Sequence, residues 1–307
     1  TMTGNIATKG ITSVTLGTSN FVAGSTAGDS IVSGGNYNTL IGDEAGTAIT
    51  TGTHNVALGF SALDANTTGS GNHAIGTSSL TNNTTGANNT SVGSGSLASN
   101  TTASSNTAVG YTALLANTTG TQNTAIGTQA MAVNTTGANN VALGFLAMLN
   151  GTTASDNIAV GVNALYTNTT GTSNTALGRS ALRYNTTASN NTAVGYNSLL
   201  ANTTGAANTA VGAGCLDANT TGNDNVAIGR LALEFNTTAD DNVAIGFIAM
   251  RYNTTGTYNT AVGRNALGAN TTAANNTAVG WGSLSANTTA ADNTALGTQA
   301  LTSNTTG

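Results

Sequence analysis

Apolar and polar residues recur in a fixed order every 17 residues from Asn55 to the end of the chain. The copy over residues 106–122 reads Asn-Thr-Ala-Val-Gly-Tyr-Thr-Ala-Leu-Leu-Ala-Asn-Thr-Thr-Gly-Thr-Gln, and its residues define positions one to seventeen. Position four is Val, Ile or Leu in every copy, and position nine is Leu or Met. A constant period of this length predicts a solenoid in which each copy forms one coil.

The order of residues within a copy favours strands over helices. Gly at position five and Thr at positions thirteen and fourteen would interrupt a helix in every copy. Alternation predicts a short strand over positions two to four, with positions two and four facing the core and position three facing outward. A second short strand is expected from position seven to position nine or ten. An Asn-Thr-Thr-Gly turn would follow it.

The predicted fold class is therefore all-β, a parallel β-solenoid with one 17-residue repeat per coil. Residues 1–37 keep only fragments of the period and are expected to form irregular N-terminal coils. Residues 38–307 form an array of sixteen repeats, of which the last is truncated, so we expect the chain to be a segment of a longer polypeptide. The expected core ladder contains Leu63, Leu114, Met131, Leu165, Leu216, Val109 and Ile126.

Stacked coils place like residues above one another, which predicts ladders of side-chain hydrogen bonds. The residues that represent these Asn and Thr ladders are Asn106, Asn117, Thr118 and Thr119.

The composition of position three predicts association between chains. This position is Ala in every copy from Asn55 onward except at Ser91, whereas an outward strand residue in solvent should vary. We therefore predict that Ala108, Ala125 and Ala142 lie at a contact with another chain. Two large apolar positions per copy are also a small core for 17 ordered residues. A homo-oligomer is the expected state.

Composition and charge exclude several classes of partner. Only 6% of the residues are charged, 40 are Gly and none is Pro. A net charge of −5 disfavours binding to nucleic acid. No run of 18 apolar residues occurs, so insertion into a membrane is not expected. Two features argue against a disordered chain: every copy has an apolar residue at position four, and the fraction of charged residues is low.

No catalytic or metal-binding group of residues is apparent. His54 and His73 are the two histidines, they occupy different positions of the repeat, and no Cys accompanies them at metal-ligand spacing. We expect no enzyme activity and no cofactor. Cys215 is the single cysteine and occupies position eight, which is otherwise Ala or Ser, so a small buried side chain is expected. The shared aspartates of position seventeen, expected in solvated turns, are Asp156, Asp224, Asp241 and Asp292.

The opening of each copy, such as Asn225-Val226-Ala227-Ile228-Gly229, resembles the head repeats of trimeric autotransporter adhesins. This resemblance implies a left-handed parallel β-roll with three chains packed side by side. The adhesin repeat is shorter and lacks the Asn-Thr-Thr turn. The complete 17-residue phrase is similar to arrays in phage and related viral tail-fibre proteins. This second resemblance implies a segment of a trimeric attachment fibre, located outside a cell or on a virion.

Position six carries aromatic residues in six copies and Arg179, Arg230 and Arg264 in three others. These side chains either fill grooves between chains or contact a cell-surface glycan or receptor, through aromatic stacking and arginine pairing. The aromatic residues at this position are Phe60, Tyr111, Phe145, Tyr196, Phe247 and Trp281. A glycan-binding bacterial adhesin is thus an alternative to the fibre shaft.

The Asn-Thr-Thr phrase matches the acceptor motif for N-glycosylation, and its Asn and Thr are also ordinary turn residues. Candidate glycosylation sites include Asn66, Asn117, Asn134, Asn202 and Asn253. The copy that begins at Asn140 moves the motif by one residue, to Asn150. Regular threonines also raise the alternative of an ice-binding solenoid, although adjacent threonines in a turn should diverge.

Overall fold

The computed structural model describes residues 17–305, and these residues contain no helix. The chain divides into two compact units, Thr1–Asn139 and Asn140–Gly307. In each unit, one three-residue strand per coil pairs in parallel with the strands of the neighbouring coils. The predicted parallel β-solenoid with a 17-residue coil is confirmed.

Each strand covers positions two to four, as predicted, and like residues pair with like; Ala108, for example, pairs with Ala125. The described strands of the first unit are β1 (Phe21–Ala23), β2 (Thr39–Ile41), β3 (Val56–Leu58), β4 (His73–Ile75), β5 (Thr90–Val92), β6 (Thr107–Val109) and β7 (Thr124–Ile126). Those of the second unit are β8 (Val141–Leu143), β9 (Ile158–Val160), β10 (Thr175–Leu177), β11 (Thr192–Val194), β12 (Thr209–Val211), β13 (Val226–Ile228), β14 (Val243–Ile245), β15 (Thr260–Val262), β16 (Thr277–Val279) and β17 (Thr294–Leu296).

The segment before the regular array continues the stack with a longer coil. Phe21 of β1 pairs with Thr39 of β2, so this coil is 18 residues long. The Oδ1 of Asn20 accepts a hydrogen bond from the backbone N–H of Asn38 at 2.8 Å, as the regular position-one asparagines do. Of the predicted irregular coils over residues 1–37, residues 1–16 lie outside the described part of the chain.

The strands are turned the opposite way to the prediction. Ala108, Ala125 and Ala142 at position three are completely buried inside the coil, so their predicted contact with another chain is wrong. Val109 is half-buried and Ile126 is 37% exposed, so their predicted place in the core is also wrong. The reason is that the Asn at position one is buried, and residues one and three of an extended segment share a face.

The interior of the regular array contains one large apolar side chain per coil, whereas the coil before it buries both Leu40 and Ile49. Leu or Met at position nine is completely buried in every copy from Leu63 to Leu284, which confirms this part of the predicted ladder; Leu301 of the last copy is 51% exposed. Small residues at positions three and eight, and asparagines at positions one and twelve, surround it. The confirmed residues are Leu63, Leu114, Met131, Leu165 and Leu216.

The predicted second strand does not form, because the backbone alternates between right- and left-handed conformations beyond position five. Thr112 at position seven has φ 50° and Leu114 at position nine has φ 51°. Their N–H groups consequently donate in opposite directions: Thr112 to Ser94 of the preceding coil at 3.0 Å, and Leu114 to Ala130 of the following coil at 3.0 Å. Coil-to-coil hydrogen bonding thus continues without a regular strand.

Glycine at position five is required by close packing of backbones. Gly110 has φ 137°, and a Cβ added there would lie 2.6 Å from the carbonyl oxygen of Gly127 in the next coil. A side chain at this position would therefore push neighbouring coils apart.

Candidate functional site

Two buried asparagines in most coils form ladders that confirm the prediction for Asn106 and Asn117; the coil that begins at Asn140 has Gly151 in place of the second asparagine. The Nδ2 of Asn106 donates to the carbonyl of Gly120 at 2.9 Å, and the Nδ2 of Asn117 donates to the same carbonyl at 3.0 Å. Between coils, the Asn106 N–H donates to Asn89 Oδ1 at 3.0 Å, and Asn117 Nδ2 donates to Asn100 Oδ1 at 2.9 Å. These bonds close the turn and also join each coil to its neighbour.

The threonine pair divides its roles. The hydroxyl of Thr118 donates to the carbonyl of Thr135 in the next coil at 3.0 Å, so the ladder bond is to the backbone. The side chain of Thr119 is exposed, and its N–H donates to the same carbonyl at 3.3 Å. The two side chains diverge, as expected for adjacent residues in a turn.

The candidate glycosylation sites are not accessible in the folded chain. Asn66, Asn117, Asn134, Asn202 and Asn253 are completely buried. Their Nδ2 atoms, which would carry the sugar, donate to the carbonyl at position fifteen and, except at Asn66, to the asparagine of the preceding coil, as in the bonds of Asn202 to Gly205 and Asn185. Glycosylation there would break the ladder, which favours the turn-residue interpretation. Asn150, where the motif is displaced, is half-buried instead.

Each unit exposes an apolar band on the outer face of its sheet, which we call the strand stripe. It consists of the outward side chains at positions two and four. Leu58 and Ile126 in the first unit are 44% and 37% exposed, and Leu143 and Leu177 in the second are 43% and 45% exposed. Position two adds Thr or Val in most coils. The strand stripe is the surface that the sequence prediction had assigned to the core.

The aromatic residues at position six lie on the surface, from 38% exposed at Phe247 to 58% at Tyr111. In the second unit they combine with arginines of neighbouring coils. The guanidinium carbons of Arg230 and Arg264 lie 5.7 Å and 5.5 Å from the centre of the Phe247 ring. Such contacts orient the guanidinium groups. Both earlier interpretations of this position, groove filling and glycan contact, stay open.

A second aromatic cluster occupies positions ten and eleven of the second unit. Phe235 and Tyr252 stack with ring centres 5.5 Å apart, and they line a groove of about 510 Å³. Arg251 lies over both rings and forms a salt bridge with Glu234. Salt-bridge formation raises the pKa of Arg251.

The groups capable of chemistry are separate from one another. Cys215 is buried, as predicted, and burial raises the pKa of its thiol to about 12, so it is protonated at neutral pH. His54 stacks on Tyr37 with ring centres 4.9 Å apart. Within residues 17–305, no group of three or more His, Cys, Asp or Glu side chains is arranged to hold a metal ion. The same residues include no helix able to cross a membrane.

Comparison with known proteins adds no family assignment: neither the protein-family models nor the curated proteins contain a match to this chain. The strand stripe and the position-six surface are therefore interpreted from their own geometry.

Proposed function

We propose that this chain is a segment of the shaft of a homotrimeric attachment fibre, located outside a cell or on a virion. The observation that supports the proposal is the strand stripe. Parallel sheets are almost always covered on both faces, yet this one exposes a row of aliphatic side chains on its outer face. Exposed apolar surfaces that extend beyond a few hundred square ångströms mark interaction sites. A covering surface is therefore expected.

Further copies of the same chain are the partner that best fits the strand stripe. The stripe repeats its pattern of small and aliphatic side chains once per 17-residue coil, and an identical chain in register repeats at the same interval. No Asp, Glu, Lys or Arg stands at positions two or four in any copy from Asn55 onward, and His73 is the one ionisable residue there, so like chains meet with little electrostatic repulsion. The number of three comes from the adhesin and tail-fibre resemblance. The shaft's role is mechanical: it would hold a binding surface away from the particle or cell.

Lysine substitution on the strand stripe tests this proposal. In the double variant Ile228→Lys and Ile245→Lys, two charges replace aliphatic side chains at position four of adjacent coils. We expect the oligomer to dissociate to monomers in sedimentation velocity, because burying an unpaired ammonium group is unfavourable. The matched control is Thr221→Lys and Thr238→Lys, at the exposed position fourteen of adjacent coils, which should remain oligomeric. Equal sedimentation of the two double variants would contradict the proposal.

Ice binding is the second candidate, and one observation favours it. The threonines at position two, such as Thr192 and Thr209, project from the outer face of the sheet in strict register. The Thr118 hydroxyl, by contrast, donates to a backbone carbonyl and is therefore not available to bind ice. Thermal hysteresis of the wild-type protein distinguishes the two candidates: the fibre proposal expects none, and a measurable freezing-point depression beyond the colligative effect would favour ice binding.

A further inference from the structure

A hollow of about 250 Å³ opens on the surface of the second unit between Tyr196 and Arg230. It exists because the intervening coil carries Ala213 and Gly214 at positions six and seven, where the flanking coils carry larger side chains. Asp217, at position ten of the same coil, completes the lining. The hollow is therefore a gap one coil high in a column of aromatic and arginine side chains.

The height of the hollow suits one puckered ring. Tyr196 and Arg230 occupy coils on either side of the Ala213 coil, so at the usual strand spacing they are separated by about 9.6 Å along the solenoid. Aromatic and guanidinium faces contact a ligand at about 3.5–4.0 Å. Two such contacts account for about 7–8 Å, and the thickness of a puckered ring accounts for the rest, so a single ring inserted between them would touch both. The Tyr196 ring is 56% exposed and supplies a platform for stacking.

One carboxylate oxygen of the acidic group in the hollow receives no hydrogen bond from any donor. Asp217 Oδ1 is shielded from solvent and accepts no hydrogen bond. Burial raises the pKa of this carboxyl group, and the nearby Glu234 raises it further. An unsatisfied buried acceptor is unfavourable. The Asp217 side chain lines the hollow, so a rotation of its carboxylate toward the hollow would let it accept a hydrogen bond from a ligand hydroxyl group.

The basic group in the hollow is positioned but unpaired. The Arg230 guanidinium carbon lies 5.7 Å from the centre of the Phe247 ring, which limits its orientations. Among the described residues, the salt bridge of this region joins Arg251 to Glu234 and leaves Arg230 without a carboxylate partner. Arg230 therefore offers donors to a ligand, and Asp217 offers acceptors. Their formal charges cancel, which favours a neutral ligand rich in hydroxyl groups over an anion.

We propose that this hollow binds one neutral pyranose residue of a polysaccharide, with the sugar ring against Tyr196 and its hydroxyl groups bonded to Asp217 and Arg230. Carbohydrate rings present an apolar face to aromatic side chains and hydroxyl groups at their edges, and the hollow has both kinds of partner. The site goes beyond the role of a shaft, and it requires no contact between chains.

Saturation-transfer NMR with the methyl glycosides of glucose, galactose, mannose and N-acetylglucosamine tests the site. We expect the wild-type protein to transfer saturation to at least one of them, with a Kd on the order of 1 mM, as small ligands in shallow sites bind weakly. Ala213→Tyr restores the aromatic residue that Tyr111 and Tyr196 provide in other coils and fills the hollow, so the signal should disappear. Asp217→Asn should weaken binding about tenfold.

The matched control is Thr128→Tyr, which adds the same side chain at the same exposed position in a coil of the first unit. It should leave the signal unchanged. The proposal is overturned if none of the four glycosides receives saturation from the wild-type protein, or if Ala213→Tyr binds them as well as Thr128→Tyr does. Sedimentation of Ala213→Tyr separates this site from the fibre proposal, because loss of sugar binding should leave the oligomer intact.

Discussion

At the scale of single residues, buried asparagines hold the coils together. Asn106 and Asn117 donate to one carbonyl, and each is also joined to the asparagine of a neighbouring coil. An interior with one large apolar side chain per coil gains little from hydrophobic burial, so its polar groups must be satisfied. The ladders are consequently a structural requirement of this fold.

Asn117→Ala should destabilise the folded chain substantially. It removes one of the two acceptors of Asn134 Nδ2, at 2.9 Å, and leaves Asn100 Oδ1 without its donor, and a buried polar group left unpaired costs about 1–3 kcal/mol. The free energy of unfolding from urea titration measures this change. Thr119→Ala, at an exposed residue of the same turn, should change it by less than about 0.5 kcal/mol. Similar losses in both variants would argue against the ladder.

Asp217→Asn should raise the melting temperature at pH 7. Burial raises the pKa of Asp217 in the folded chain, so folding favours the protonated carboxyl, and stability from this group falls as pH rises through the raised pKa. Replacing the carboxylate removes that cost at neutral pH and should give no advantage at pH below the ordinary aspartate pKa. Differential scanning calorimetry at both pH values checks this. Asp224→Asn, at an exposed turn residue, is the control.

At the scale of the element, each coil is one three-residue strand followed by turns of alternating handedness. The strand places Ala at position three inside and the side chains at positions two and four outside. Small inward residues let the single Leu or Met of position nine fill the interior. The strand therefore determines both the core and the strand stripe.

Substitutions in β6 distinguish the two orientations of the strand. Ala108→Leu should destabilise the chain by about 1–3 kcal/mol, because it overfills a completely buried position. Val109→Leu enlarges an outward side chain at a position where Leu58 occurs in another coil, and should change the unfolding free energy of the isolated chain by less than about 0.5 kcal/mol. Urea titration in the dissociated state measures both. If Val109→Leu destabilised the chain more than Ala108→Leu, the strand orientation predicted from alternation alone would be correct instead.

The period, the strand at positions two to four and the buried residue at position nine followed from the sequence, because they depend on spacing alone. Which face of the strand is turned inward did not follow, because alternation shows that positions two and four lie opposite position three but not which side is buried, and both faces are apolar. The asparagine at position one carried the missing information, because its burial fixes the side on which position three lies. The hollow beside Ala213 could not be predicted, because the sequence does not show that positions six, seven and ten share one surface.

The turns were only partly predictable for a related reason. Position seventeen holds Asp156, Asp224, Asp241 and Asp292, and these residues have φ between 56° and 59°, as turn residues of this type often do. Gly214 at position seven, with φ 66°, gives a similar signal. Leu114 at position nine does not, because a large apolar residue seldom adopts a positive φ. The second strand was therefore predicted where a left-handed turn occurs.

At the scale of the whole molecule, the account depends on what covers the strand stripes. Each unit buries its own ladder of Leu and Met residues and leaves aliphatic side chains on the outer face of its sheet. Ladder hydrogen bonds satisfy most polar groups of the interior, but they do nothing for this outer face. Association of identical chains in register would bury it, which is why we propose a homotrimeric fibre.

The mass of the wild-type protein in solution tests this account most directly. Sedimentation equilibrium across a wide range of protein concentration gives that mass without assumptions about shape. The account predicts a species with three times the 29.9 kDa mass of the chain. A single species of 29.9 kDa at all concentrations would contradict it.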